Sequence, residues 1–202
     1  MIPTLPREAR NRLAELIIAA LSDDAARVAL RTLANAASIP AEWLDPDDRA
    51  HAPAFIARVR QAVGALASAP RLPRPLTVAD ALDAAACLFD AGLYFETHEV
   101  LEPSWREAHG ELREMLQGLI QIAVGSQHLA NGNRAGAYAL LHEGAERLRR
   151  IGDEDVGPTT LGGRAVVPSR ESSRFVAGVT AWLDDLDPRR RSAPSFPRLD
   201  RS

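Results

Sequence analysis

The chain has little of several things, and each shortage removes a class of answer. It has one cysteine, Cys87, in 202 residues. No internal disulfide and no cysteine-rich metal site can form, and a lone thiol is ordinarily a small core residue in a reducing compartment. Aromatics are scarce, with three Trp, two Tyr and five Phe. β-Branched residues are sparse and no run alternates apolar and polar at period two, so strands are not required anywhere. Neither sign of charge dominates: a formal net charge of -3 and a pI near 6.0 give no pull toward nucleic acid or anionic membrane. Long apolar runs are missing too. Residues 16–21, LIIAAL, follow Arg7, Arg10 and Arg12, but Glu15 borders the run and Ser22, Asp23 and Asp24 follow where the small residues of a cleavage site would stand. No segment approaches the roughly 18 apolar residues that a membrane-spanning helix needs. The expectation is a soluble, cytoplasmic protein with neither a nucleic-acid nor a membrane partner.

What remains is alanine, leucine and charge: 46% of residues are hydrophobic and 25% charged, the balance of a chain with one good core or two small ones. Apolar residues recur at helical spacing, which predicts an all-α fold. Leu13, Leu16, Ile17, Ala20 and Leu21 mark one face of a first helix over 7–21. A second is expected to begin at Ser22 as its cap, with Asp23 and Asp24 at the positive end of the dipole, and to stop before Ile39 and Pro40. Phe55, Ile56, Val59, Val63 and Leu66 mark a third. Residues 1–67 thus form a small helical N-terminal unit. SAPRLPRPLT follows, and its three prolines make 68–77 a stiff linker, because proline fixes φ and removes amide donors.

The second unit, 78–187, reads as an antiparallel helical bundle with short turns. Thr77 caps its first helix with Asp80 at N3, a capping-box arrangement, and Leu82, Ala85, Ala86 and Phe89 form the buried face. The next helix carries YFETHEVLE, and Pro103 is expected to kink or end it near residues 100–102. A long, largely apolar helix over 112–130 ends at Asn131-Gly132, and Asn133 caps another that runs to about Arg150. Residues 157–169 read as a loop, and Phe175, Val176, Val179, Trp182, Leu183 and Leu186 give a last amphipathic helix. Residues 188–202, with three consecutive arginines, read as a solvated, disordered tail.

The chemistry concentrates in FDAGLYFETHEVLEPSW, residues 89–105. At 100° per residue His98 and Glu102 share one face and Glu99 flanks them, with Glu96 on the same helix. On the long helix Gln117, Gln121 and His128 form a narrow polar stripe. Buried amides and imidazoles need partners, and the stripe is expected to meet His98, Glu99 and Glu102 across an antiparallel contact. Two imidazoles and a carboxylate suit zinc or another first-row divalent metal with an open position for water. A hydrogen-bonded network that sets helix register uses the same residues, so both readings stand. HExxH and ExxH motifs are absent. Ser104 and Ser126 have no glycine-flanked elbow, Cys87 has no histidine near it in sequence, and His51, His109 and His142 are expected at the surface.

Residues 83–150, above all FDAGLYFETHEVLEPSW, QGLIQIAVGSQHLANGNRAGA and the LL-E-A-ERL pattern, resemble the bacterial and archaeal family called domain of unknown function 309. The family is a small all-helical bundle, sometimes labelled a predicted metal-dependent hydrolase. The resemblance implies His98, Glu99, Glu102 and His128 as site residues, supported by Gln117, Gln121 and Trp105, with Gly132, Asn133 and Gly136 in the family's turn. Pro103 stands where a helix-compatible residue is usual, which bears on where Trp105 falls. The N-terminal unit lies outside that family and resembles the small helical effector-associated adaptors of bacterial conflict systems, which recruit partners. Its alternative reading is a plain helical extension of the bundle.

Two functions follow. In one the chain is a binding or scaffold module with a buried polar site, and the N-terminal unit binds a protein partner or a second copy. In the other, His98, Glu102 and His128 hold a divalent metal such as zinc, Glu99 is the general base of a hydrolase, and Glu96, Trp105, Gln117, Gln121 and Asn133 support the site.

Overall fold

A computed structural model describes residues 5–67, 69–153, 160–161, 164–165, 169–184 and 193–197. The fold is all-α and divides into two compact units, Met1–Pro75 and Leu76–Ser202. No helix among the described residues is long and apolar enough to cross a membrane.

The first unit packs α1 (Arg7–Ala19), α2 (Asp24–Ala34) and α3 (Ala52–Ala67), with a 3-10 turn at Pro46–His51 leading into α3. Leu13, Ile17, Leu30, Phe55 and Val59 fill the core. The cap of α2 is Asp23 rather than Ser22: its carboxylate accepts from the Ala25 amide at 2.7 Å, and an ionised cap also suits the helix dipole. The helix ends at Ala34, short of Ile39, with Asn35 as C-cap.

Arg27 organises this unit. It falls among Ala26, Leu30, Leu33 and Ala34 on the core face of α2 and is 4% exposed. Its guanidinium donates to the carbonyls of Ala20 (2.7 Å), Leu66 (2.9 Å), Ala69 (3.1 Å) and Pro70 (3.2 Å). Ala20 and Leu66 belong to the C-terminal ends of α1 and α3, where carbonyls lack helical partners and the dipole is negative. One planar, permanently charged donor therefore satisfies two helix ends and the proline-rich segment at once. That segment is further held by the Leu72 amide on the Leu21 carbonyl at 3.0 Å.

In the second unit, Thr77 and Asp80 form the expected capping box of α4 (Val78–Asp90). Gly92, at φ +75°, then reverses the chain: the Gly92 amide bonds the Phe89 carbonyl and the Leu93 amide the Leu88 carbonyl. The pattern repeats after α6, where Gly132, at φ +80°, bonds Leu129 and the Asn133 amide bonds His128. Both are Schellman closures, and they join α4 to α5 (Tyr94–Glu107) and α6 (Gly110–Ala130) to α7 (Arg134–Asp153).

Pro103 neither ends nor replaces α5, which continues to Glu107. Its missing N–H forgoes the bond to the Glu99 carbonyl and its ring crowds that carbonyl, but Pro103 is on the exposed side of the helix, where water can take the amide's place.

α6 and α7 approach through glycines. A Cβ on Gly144 would lie 2.7 Å from the Gly118 carbonyl oxygen and 2.8 Å from Ile122 Cγ1, and one on Gly125 would lie 2.9 Å from Leu141 Cγ. Beyond α7 a two-residue antiparallel pair, Thr160–Leu161 with Arg164–Ala165, breaks what reads as loop, and α8 (Ser169–Asp184) packs on α7. Within the stretch expected as a solvated tail, residues 193–197 are instead held: Phe196 is 2% exposed, its ring packed against Phe89 and Phe175. Residues 188–192 and 198–202 lie outside the described residues.

Stability measurements on four variants check this account. Gly144→Ala is expected to destabilise by about 1–3 kcal/mol in urea unfolding, overpacking outweighing the helix propensity that alanine adds. Gly64→Ala in α3, which has open space where its Cβ would stand, is expected to stabilise by about 0.5–1 kcal/mol. Arg27→Met should cost about 2–4 kcal/mol by leaving buried carbonyls without donors. Arg27→Lys should recover less than half of that, since one ammonium cannot span four acceptors.

Candidate functional site

α5 alone builds the centre of the site. Its helical repeat places His98 and Glu102 one turn apart on one face, with Glu99 beside them. His98 Nδ1 lies 3.2 Å from Glu99 Oε1, and its Nε2 lies 3.9 Å from Glu102 Oε2. The imidazole thus stands between two carboxylates, one per nitrogen. Donor atoms of His98, Glu99 and Glu102 lie within 4.8 Å of one another, the group among the described residues that could close on a single ion. The side chains are 25%, 34% and 26% exposed, so the cluster is half-buried and reachable by solvent. The other oxygen of Glu102 accepts from Arg106 Nη2 at 2.6 Å, which fixes the carboxylate along the helix axis.

The other expected members go elsewhere. His128 is not in that group: its Nδ1 lies 3.0 Å from Asn133 Nδ2, while Asn133 Oδ1 caps α7 by accepting from the Gly136 amide at 3.0 Å. His128 and Asn133 therefore belong to the α6–α7 turn. Gln121, 8% exposed, faces α7, where its Oε1 accepts from Arg147 Nε at 3.2 Å. Arg147 also donates to Glu114 and to Glu143, and the Gln121 amide, ahead of Arg147, holds the Glu143 carboxyl below the ordinary carboxylate range. Gln117 is half-buried on the same helix. Glu96, one turn before Glu99 on α5, is fully buried and is not in that group.

Trp105 keeps its place one turn beyond Glu102 because α5 survives Pro103. Arg113 lies over its ring at 4.3 Å from the centroid and donates to its carbonyl at 2.9 Å. Trp105 Nε1 is buried with no hydrogen-bond partner among the described residues. Sequence reasoning missed Arg106, Arg113 and Arg147. For Arg106 the signal was present, a cation four residues after Glu102. His109 and His142 are exposed as expected, whereas His51 is half-buried with an unpartnered Nδ1.

Chemically, the arrangement can work in two ways. A protonated His98 can pair with both carboxylates. Alternatively Nε2 and Glu102 can bind a cation while Glu99 holds the Nδ1–H, the carboxylate–histidine–metal relationship that orients a ligating ring. The 3.9 Å gap at Nε2 is too long for a hydrogen bond and within the span of two donors placed about 2.0–2.2 Å from one ion. One nitrogen and carboxylate oxygens are a donor set that suits a divalent first-row cation.

No curated protein and no solved structure matches the chain significantly. A family model does, over 82–140, and its description is Domain of unknown function (DUF309). That span runs from α4 through the first turns of α7, covering the α5 cluster and both Schellman turns. This segment of the second unit is thus similar to the domain of unknown function 309 family.

Proposed function

We propose that the second unit is a binding module whose α5 cluster takes a divalent first-row cation, with His98 Nε2 and Glu102 as ligands and Glu99 orienting the ring. The observation that carries this reading is the split imidazole: Nδ1 already faces a carboxylate at 3.2 Å, while Nε2 faces a second one across 3.9 Å. His128 is not required in this reading, since it is engaged with Asn133. A protein partner or a second copy would be served by the first unit, whose α2 presents Val28 at 58% exposure.

Metal-assisted hydrolysis is the second reading. It is favoured by the partial exposure of all three donors, which leaves coordination positions for water. When bound, the ion would supply an activated water, and His98 and Glu102 would hold it in place. The two readings give Glu99 different roles, orienting carboxylate or general base.

Elemental analysis and calorimetric titration with Zn2+ and Mn2+ test the site. About one equivalent is expected for the wild type, with at least about tenfold weaker binding in His98→Ala and Glu102→Gln, and unchanged binding in His128→Ala. Wild-type chain that takes up no cation would sink the reading. Glu99→Gln separates the roles. Metal affinity reduced about 10- to 100-fold marks an orienting residue, whereas retained metal with lost turnover in an ester or phosphoester screen marks a base.

A further inference from the structure

Residues 193–197, APSFP, carry no regular secondary structure, yet they occupy a groove formed by the C-terminal end of α4 and by α8. Phe196 is 2% exposed. Its ring meets Phe89 at 5.0 Å and Phe175 at 5.3 Å between centroids, and those two rings meet edge-on at 5.8 Å. The Phe196 amide donates to Asp90 Oδ1 at 2.9 Å, a charge-assisted bond to the backbone of the docked segment. Pro194 sits directly over Gly178, where an added Cβ would come within 2.6 Å of it. Ser195, between them, is exposed.

These features are those of a peptide site: an aromatic pocket for one anchor side chain, a carboxylate for one backbone amide, and a glycine floor for a proline two residues before the anchor. Flanking prolines stiffen the segment and lower the entropy lost on docking. Helix α8 reaches Asp184 and the segment starts at Ala193, so it is tethered in cis and held by a few contacts rather than by a ladder of bonds. Segments held in this way open locally, without global unfolding.

We propose that the groove of Phe89, Asp90, Phe175 and Gly178 is a docking site for an extended peptide bearing Pro-x-Phe-Pro, and that the chain's own residues 193–197 occupy it as a competing resident. Partner and resident share one chemistry, so a partner binds by displacing the resident, whose effective concentration is raised by its tether.

The probe is a fluorescein-labelled APSFPRL peptide, followed by anisotropy with full-length chains. Phe196→Ala is expected to bind it at least about tenfold more tightly than the wild type, which carries the resident. A peptide with alanine in place of phenylalanine should not bind. Adding Gly178→Ala to Phe196→Ala should weaken binding about tenfold by closing the floor under the proline. Failure of the Phe196→Ala chain to bind, while circular dichroism shows it folded, overturns the proposal. A wild-type dimer that the peptide dissociates also overturns it, in favour of exchange between copies. Amide exchange on the wild type gives an independent reading. The Phe196 amide should exchange at least about tenfold faster than the central α6 amides, and exchange at the α6 rate would make the segment ordinary core and overturn the docking site.

Discussion

The backbone-to-backbone approach of α6 and α7 is the constraint on which the second unit depends. Gly118, Gly125 and Gly144 remove the side chains that would hold the helices apart, and the carbonyl of Gly118 comes so close to Gly144 that no Cβ fits between them. Such contact fixes rotation as well as distance. With that rotation set, Gln121 meets Arg147 and, through it, Glu114 and Glu143. Gln121 and His128 of the α6 stripe are thereby engaged within the α6–α7 pair and its turn, and the His98 cluster is drawn from α5 alone. The division between structural network and candidate site thus follows from three hydrogen atoms standing where methyl groups would be.

The first unit solves a different problem with a different device. Its helices are short, and two of them end near one another, which places unsatisfied carbonyls and two negative dipole ends in the core. A carboxylate partner for Arg27 would have left those carbonyls bare. Instead the guanidinium is met by partial charges spread over four carbonyls, so a buried cation with no counter-ion among the described residues becomes a cap shared by α1, α3 and the proline-rich segment.

Much of this was legible in the sequence because it is local. The capping box of Thr77 and Asp80, the Gly132 turn and the apolar faces of α1, α3 and α8 depend on residues within one or two turns, and composition and spacing carry that information. Periodicity places a residue on a helix face but does not say which neighbour the face meets. Gln121 therefore read as a partner of His98, when glycines seven residues apart on α6 and Gly144 on α7 decide otherwise. His128 was drawn away by Asn133, a cap whose side chain has a second group to spend. Phe196 was hidden for a related reason: a lone aromatic in a proline-rich, arginine-rich stretch has no periodicity of its own, and only the rings of Phe89 and Phe175 give it a place.

Pro103 shows how local cost and candidate function coincide. Most of α5 obeys helix rules, and the exception is a proline whose absent amide would have bonded the carbonyl of Glu99. That is the residue whose carboxylate faces His98 Nδ1. The break in the α5 ladder therefore falls at the cluster itself, on the exposed side where a carbonyl can turn to solvent without a buried penalty. Sequences that are otherwise consistent with their fold depart from it most readily where a site needs geometry that regular structure does not provide. Here the helix past Pro103 still delivers Arg106 to Glu102 and Trp105 to Arg113. The proline removes the helical partner of the Glu99 carbonyl and leaves the side chains on either side of it in register.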